Sequence, residues 1–200
     1  MWLTDLLNAI LALFSGGKTK VTLDSPSHGP GPEPVGVGAT IIKYYEGCQK
    51  KLPDGMIGPY RDAKGVPTIG WGNTSWEDGT PVKMTDAPIT QARADVLFDY
   101  WYRRFRDDVK TYLPASAPPL HVEVFTSFAY NIGIPAFSTS TALKRYKAGD
   151  IVGAGEALEW FIYSGGKILK GLQRRRRAEH YILDGMAPEQ AFKQAEKDFP

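Results

Sequence analysis

Apolar residues recur along this chain mostly three and four positions apart, which predicts a largely helical protein with one extended interruption. The opening stretch MWLTDLLNAILALF places Trp2, Leu3, Leu6, Leu7, Ile10, Leu11 and Phe14 together, with Thr4, Asp5 and Asn8 opposite. That pattern predicts an amphipathic helix over residues 1–14. Residues 15–38 are rich in Gly and Pro and almost free of large apolar side chains, as a linker would be. From residue 39 to residue 200 the chain reads as one folded domain. Ile41, Tyr44, Tyr45 and Cys48 define the inner stripe of its first helix. That helix is expected to end near Leu52, because Pro53 disfavours helical geometry before it and Asp54-Gly55 is a turn pair. Glu46 then falls in its C-terminal half.

The interruption is YRDAKGVPTIGWGNT. Gly65 supplies a turn, Val66, Thr68, Ile69 and Trp71 favour strands, and Pro67 suits an edge, so a β-hairpin is expected. A long helix follows from about Thr90 to Leu113, with Thr90 as N-cap and Leu97, Phe98, Trp101, Phe105, Val109 and Tyr112 on its apolar face. Pro114 ends it. Shorter helices are expected at about 120–131, 140–147, 150–160 and 172–183, and Pro188 opens a last one. Gly133, Gly149, Gly165-Gly166 and Gly185 mark the breaks, and Trp101, Trp160 and Phe161 are assigned to the core. A small β-element beside a larger helical lobe is the α+β class.

Composition narrows the chemistry. The 200 residues include a single cysteine, so no intrachain disulfide is available and an oxidising compartment is not required. The segment 1–14 is too short for a bilayer span of about 20 apolar residues. It also lacks the basic start and cleavage pattern of a secretory signal. Docking on the protein or on a second copy, contact with a membrane interface through residues 2–14, and a signal-anchor role are all open to it, as is membrane disruption alongside catalysis. Gly17-Lys18-Thr19 imitates the end of a phosphate-binding loop, but Ala12 stands where that loop needs glycine.

The formal net charge is +2, and six basic residues lie between Lys167 and Arg177 with no acidic one among them. An anionic polymer suits that stretch. Arg174–Arg177 nevertheless spread around a helix, so one or two are expected to pair with carboxylates inside the domain. No nucleic-acid-binding module is recognisable. Three isolated histidines and one cysteine have no metal-ligand spacing, so no metal or other cofactor is expected. A Cys48–His nucleophile pair lacks any local motif.

Carboxylates remain. Cleaving a glycosidic bond takes one acid to protonate the leaving oxygen and, across the sugar, a carboxylate that holds water or attacks carbon. Glu46, flanked by Tyr44 and Tyr45 on an apolar helix, is a candidate for a shielded, protonated acid, and Asp62 in a polar hairpin for an ionised partner. Taken singly, the same residues read as a solvated helix end, a turn former and, for Thr68, a strand former.

A longer pattern changes the balance. EG…YRDAKGVPTIGWGNT, SFAYNIG…FSTSTALKRYKAGD and GAGEALEWFIYSGGKILKGLQRRRRAE together closely resemble the phage-type lysozymes of glycoside hydrolase family 24, the phage endolysins, from about Ile41 to Asp184. The resemblance implies a lysozyme-like fold, with Glu46 facing Asp62 and Thr68 across a cleft. It also implies cleavage of the β-1,4 bond between N-acetylmuramic acid and N-acetylglucosamine. Glu46 would protonate the leaving oxygen, and Asp62 and Thr68 would position water for an inverting displacement. Trp71, Tyr130 and Asn131 are candidates for lining the sugar cleft, with core packing the alternative.

Two features depart from the family pattern. Fifteen residues separate Glu46 from Asp62, several more than in relatives, so QKKLPDGMIGP contains an insertion and Asp54 becomes a rival carboxylate. Asn73 stands where many relatives carry histidine, a position read as structural. A lytic transglycosylase, which needs no Asp62, and a catalytically silent wall-binding module are the competing functions. The expected setting is a monomer acting on bacterial peptidoglycan, held in the host cytoplasm before its release to the wall.

Overall fold

A computed structural model describes residues 36–47, 50–62 and 65–200. The expected N-terminal helix and all but the end of the expected linker lie outside those residues. Val37 and Gly38, read from sequence as linker, already belong to helix α1, Val37–Glu46. Its start is anchored by a buried carboxylate: Glu123 Oε2 accepts from Gly38 N at 3.0 Å and from the Tyr102 hydroxyl at 2.5 Å. A Cβ on Gly38 would lie 2.3 Å from the Glu123 carbonyl oxygen, so only glycine permits this approach.

Helix α1 stops at Glu46, six residues before the expected end, because Gly47 takes a positive φ of 64° and turns the chain away. Residues 50–58 instead fold into a small turn. Leu52 N donates to Met56 O at 2.8 Å and Gly58 N to Lys50 O at 3.1 Å. Ile57 is fully buried there and exchanges backbone hydrogen bonds with Ile89. The insertion is thus stitched into the small lobe. The inner stripe of α1 consists of Ala39, Ile41 and Ile42. Tyr44, expected inside, is half exposed, its ring stacked on Phe192 at 4.4 Å.

Strands β1, Tyr60–Arg61, and β2, Pro67–Thr68, form the expected antiparallel hairpin, with Tyr60 opposite Thr68. Helix α2, Gln91–Tyr112, follows, and Thr90 caps it by accepting from Arg93 N at 3.1 Å. At 1.5 Å per residue it is about 33 Å long, enough to serve both lobes. Ala94 and Leu97 pack into the small cluster with Ile57, Ile69 and Val82. Further along, Phe98, Tyr102, Phe105 and Val109 enter the large helical core.

The large lobe contains α3, Pro119–Ile132; α4, Ile134–Thr139; α5, Thr141–Lys147; α6, Ile151–Leu158; α7, Lys170–Leu183; and α8, Pro188–Asp198. Ser140 and Asp150, expected as first helical residues, are N-caps, which bond Leu143 N at 3.1 Å and Gly153 N at 2.8 Å. Helix α3 is buried on nearly every side, which makes it the axle of this lobe.

Two elements were not expected. Helix α4 is a single short helix following Gly133, with proline in its first turn. Gly165-Gly166 was read as a helix break, but it is the tip of a second hairpin, β3 Tyr163–Ser164 paired with β4 Lys167–Ile168. Both glycines have positive φ, 55° and 76°, as a two-residue hairpin turn needs. This hairpin also corrects the placement of Trp160, which is 54% exposed and stacked by Arg145 instead of buried in the core. Trp101 is partly buried against the small cluster and donates to Ser75 O at 3.0 Å, while Phe161 packs edge-on against Phe128. The architecture is α+β: two small hairpins and eight helices among the described residues.

Candidate active site

Glu46 owes its position to the early end of α1, because a terminal residue can turn its side chain out of the helix packing. Its carboxylate is a quarter exposed, and Oε1 accepts from Arg175 Nη1 at 2.7 Å. Apolar shielding was expected here, yet a buried guanidinium lies against the carboxylate.

Arg175 is itself held from several sides. Its Nη2 donates to Ser127 O at 3.2 Å, and its Nε to Glu179 Oε1 at 3.3 Å. The Ser127 hydroxyl donates to the same Glu179 oxygen at 2.7 Å. Arg176, one residue on, donates through Nη2 to Glu179 Oε1 at 3.0 Å, and its guanidinium lies over the Phe128 ring. Arg176 Nε lies 2.8 Å from Glu179 Oε2, an ion contact that is off the hydrogen-bonding axis. Burial drags the Arg176 guanidinium down to about 10 despite that carboxylate. Burial opposes the Arg175 charge too, but Glu46 and Glu179 outweigh it and raise its pKa.

Asp62 and Thr68 meet at the peptide units of Val66. Asp62 Oδ1 accepts from Val66 N at 2.8 Å, and the Thr68 hydroxyl donates to Val66 O at 2.9 Å. Asp62 N also donates to Val66 O at 3.0 Å, which closes the hairpin. Thr68 is fully buried and stands across the ladder from Tyr60. The phenol of Tyr130 is buried. Burial raises its pKa first, and the charges of Glu46 and Tyr60 push in the same direction.

The remaining sequence candidates separate. Asp54 stands exposed at the tip of the inserted turn, where its Oδ1 accepts from Met56 N at 2.9 Å. Tyr130 is 3% exposed and packed against Phe98 and Phe105, so it has no open ring face for a sugar and belongs to the core alternative. Trp71 is partly buried at the seam of the two clusters, with its indole N–H on Asp95. Asn131 is buried, and its Nδ2 has no partner among the described residues. Asn73 is likewise buried and exchanges backbone bonds with Ile69, as its structural reading implied.

Reading the residues singly missed Ser127 and Glu179. The usable signal was the helical spacing of Arg175 and Arg176 to Glu179, at i+4 and i+3. The basic run is turned largely inward: Arg174 Nε donates to Phe199 O, and Arg177 pairs with Glu159. Among the described residues, no group of His, Cys, Asp and Glu is placed to hold a metal.

The chain is similar to known proteins at the level of a family, of whole-chain relatives and of solved structures. The family model described as phage lysozyme matches residues 43–179. The SAR-endolysin of Bacteriophage PS119 is 30% identical over 177 residues, covering 88% of this chain and 93% of its own. That of Bacteriophage PS34 is 33% identical over 175 residues, covering 88% and 92%. Among solved structures, an endolysin from Escherichia coli O157:H7 phage FAHEc1 superposes with a TM-score of 0.64 at 31% identity, covering 82% of this chain and 94% of that one. A mutant P22 lysozyme gives 0.60 at 27% identity, covering 74% and 95%.

Proposed function

The chain belongs to the phage lysozyme family, a peptidoglycan-cleaving glycoside hydrolase acting in lysis, and we propose that Glu46 is its general acid, with Asp62 and Thr68 positioning the attacking water. The observation that supports the assignment is the convergence of Asp62 and Thr68 on Val66, in the hairpin whose Asp-to-Thr spacing resembles the family motif. Glu46 protonates the oxygen that leaves between N-acetylmuramic acid and N-acetylglucosamine. Water held by Asp62 and Thr68 attacks the anomeric carbon from the opposite face, and the product has inverted configuration. Asp54 is a poor substitute, because its carboxylate is already the acceptor that shapes an exposed turn.

The substrate is the wall polymer, and we read the enzyme as a monomer that needs no nucleic acid. The inward pairing of Arg174–Arg177 supports the second point. The relatives' name, SAR-endolysin, points to a signal-anchor-release segment, and residues 2–14 are the stretch of this chain that would contact a membrane in such a role. Among the described residues no helix is long and apolar enough to cross a membrane. Before release, the protein is held inside the host cell.

The test uses the full chain on purified peptidoglycan. Glu46→Gln should lower the cleavage rate by at least ~100-fold, as loss of a general acid does. Mass spectrometry of wild-type fragments should show reducing ends. Anhydro ends would replace hydrolysis with transglycosylation, and unaltered activity in Glu46→Gln would remove the acid assignment.

A further inference from the structure

Around Glu46 the charges are counted out unusually closely. Arg175 and Arg176 bring two positive charges into the protein and are 2% and 0% exposed, while Glu179, also fully buried, brings one negative charge. Two minus one leaves a single positive charge, and Arg175 Nη1 presents it to Glu46 Oε1. Stability alone does not call for this arrangement, since burying such ions costs more desolvation than well-packed apolar groups of similar volume would. Aim, however, does call for it. A guanidinium has a planar fork, and here its Nε edge is fixed by Glu179 and its Nη2 by Ser127, which leaves Nη1 directed at Glu46.

We propose that Glu179 is a positioning residue for the reaction: with Ser127 it orients Arg175 toward Glu46, and its negative charge offsets one of the two buried arginine charges. The proposal rests on the reading of Glu46 as the acid. A general acid must be protonated when the glycosidic bond breaks, so a cation beside it works against turnover as pH rises. Glu179 moderates that cation, and Arg176 strengthens it. Of the neighbouring phenols, Tyr130 on α3 feels the Glu46 charge directly, burial raises both Tyr130 and Tyr45 above the usual phenol value, and Asp62 is the other carboxylate proposed for the cleft.

This arrangement predicts shifts of opposite sign, which a merely structural role would not produce. Removing the Glu179 charge leaves Glu46 as the carboxylate that balances both buried arginine charges, so the alkaline limb of the kcat/KM profile moves to lower pH. Removing the Arg176 charge leaves two carboxylates sharing one arginine, so the limb moves to higher pH. Each shift should be about one pH unit for a full charge acting within the protein at an intermediate dielectric.

The experiment measures pH–rate profiles of the full chain on purified peptidoglycan, with folding checked by circular dichroism. The variants are Glu179→Gln, Arg176→Met, the two combined, and Glu46→Gln. The expected result is a limb moved down in the first, up in the second and back near the wild-type position in the double variant. Should Glu179→Gln fail to fold, Arg176→Met against the double variant carries the test, because the double must return the limb. Limbs that stay in place, or that move in the same direction, overturn the role of Glu179. If Glu46→Gln is inactive while the limbs stay in place, the acid assignment survives and only this inference fails. If Glu46→Gln keeps full activity, the acid assignment itself has failed.

Discussion

Trp71 donates its indole N–H to Asp95 Oδ1 at 2.8 Å, and the same oxygen accepts from Lys43 Nζ at 2.7 Å. Lys43 in turn lies 5.0 Å from the centre of the Trp71 ring and 4.8 Å from that of Phe98. One carboxylate therefore joins α1, the segment after β2, and α2. Burial opposes the Asp95 charge, but the hydrogen bonds from Lys43 and Trp71 outweigh it and hold the carboxyl below its usual range. A double-mutant cycle of Trp71→Phe and Asp95→Asn should give a coupling of about 0.5–3 kcal/mol in chemical denaturation. Strictly additive effects would mean that the two side chains do not act as a unit.

Asp62 and Asp54 make a structural contrast, because each caps a backbone N–H but only Asp62 lies in the hairpin that carries Thr68. Asp62→Asn should reduce wall cleavage by about 100-fold, the lower range for a group acting on the attacking water. Asp54→Asn should leave the rate near wild type, since amide oxygen can still accept from Met56. Initial rates on purified peptidoglycan compare them, and the reverse ranking would transfer the role to Asp54.

Two glycines should respond to the same substitution with opposite sign. Gly38→Ala drives a methyl group toward the Glu123 carbonyl and the Tyr102 hydroxyl, for an expected loss of about 1–3 kcal/mol. Gly171 lies in α7 with no heavy atom near its added Cβ, so Gly171→Ala should stabilise by about 0.4–1 kcal/mol through the unfolded chain. Urea denaturation midpoints at fixed pH decide both.

His180 sits between two carboxylates, with Nδ1 2.5 Å from Glu159 Oε1 and Nε2 3.3 Å from Asp184 Oδ2. The hydrogen bond to Glu159 raises its pKa against burial and the nearby Arg177. A raised folded value means that the stabilisation is complete below the unfolded pKa of about 6.5 and fades as pH climbs through the folded value. The melting temperature of His180→Gln should therefore fall furthest below wild type near about pH 6 and approach it near about pH 9. A gap that widened with pH would contradict the charged bridge.

Local chemistry is legible in the sequence wherever one residue type has one strong conformational meaning. Thr90 as N-cap, Pro188 in a first helical turn, and the 3.6-residue rhythm of Leu97, Phe98, Phe105 and Val109 all appear as expected. The motif spacing likewise identified the hairpin that carries Asp62 and Thr68. Gly165-Gly166 was ambiguous, because positive φ serves a helix break and a hairpin turn equally well.

The sequence by itself therefore determined the α+β class, most helix boundaries and the family to which the motifs belong. Only the tertiary structure decided what surrounds Glu46. Which side of a four-arginine run turns inward depends on how α7 packs against α1 and α3, and no local spacing encodes that rotation. The same holds for Tyr130, whose ring could face a sugar or a core until packing against Phe98 and Phe105 chose the core. Contacts between residues more than 100 positions apart, such as Arg175 with Glu46, arise from the sum of many burial choices, so they become visible only once the chain has closed on itself.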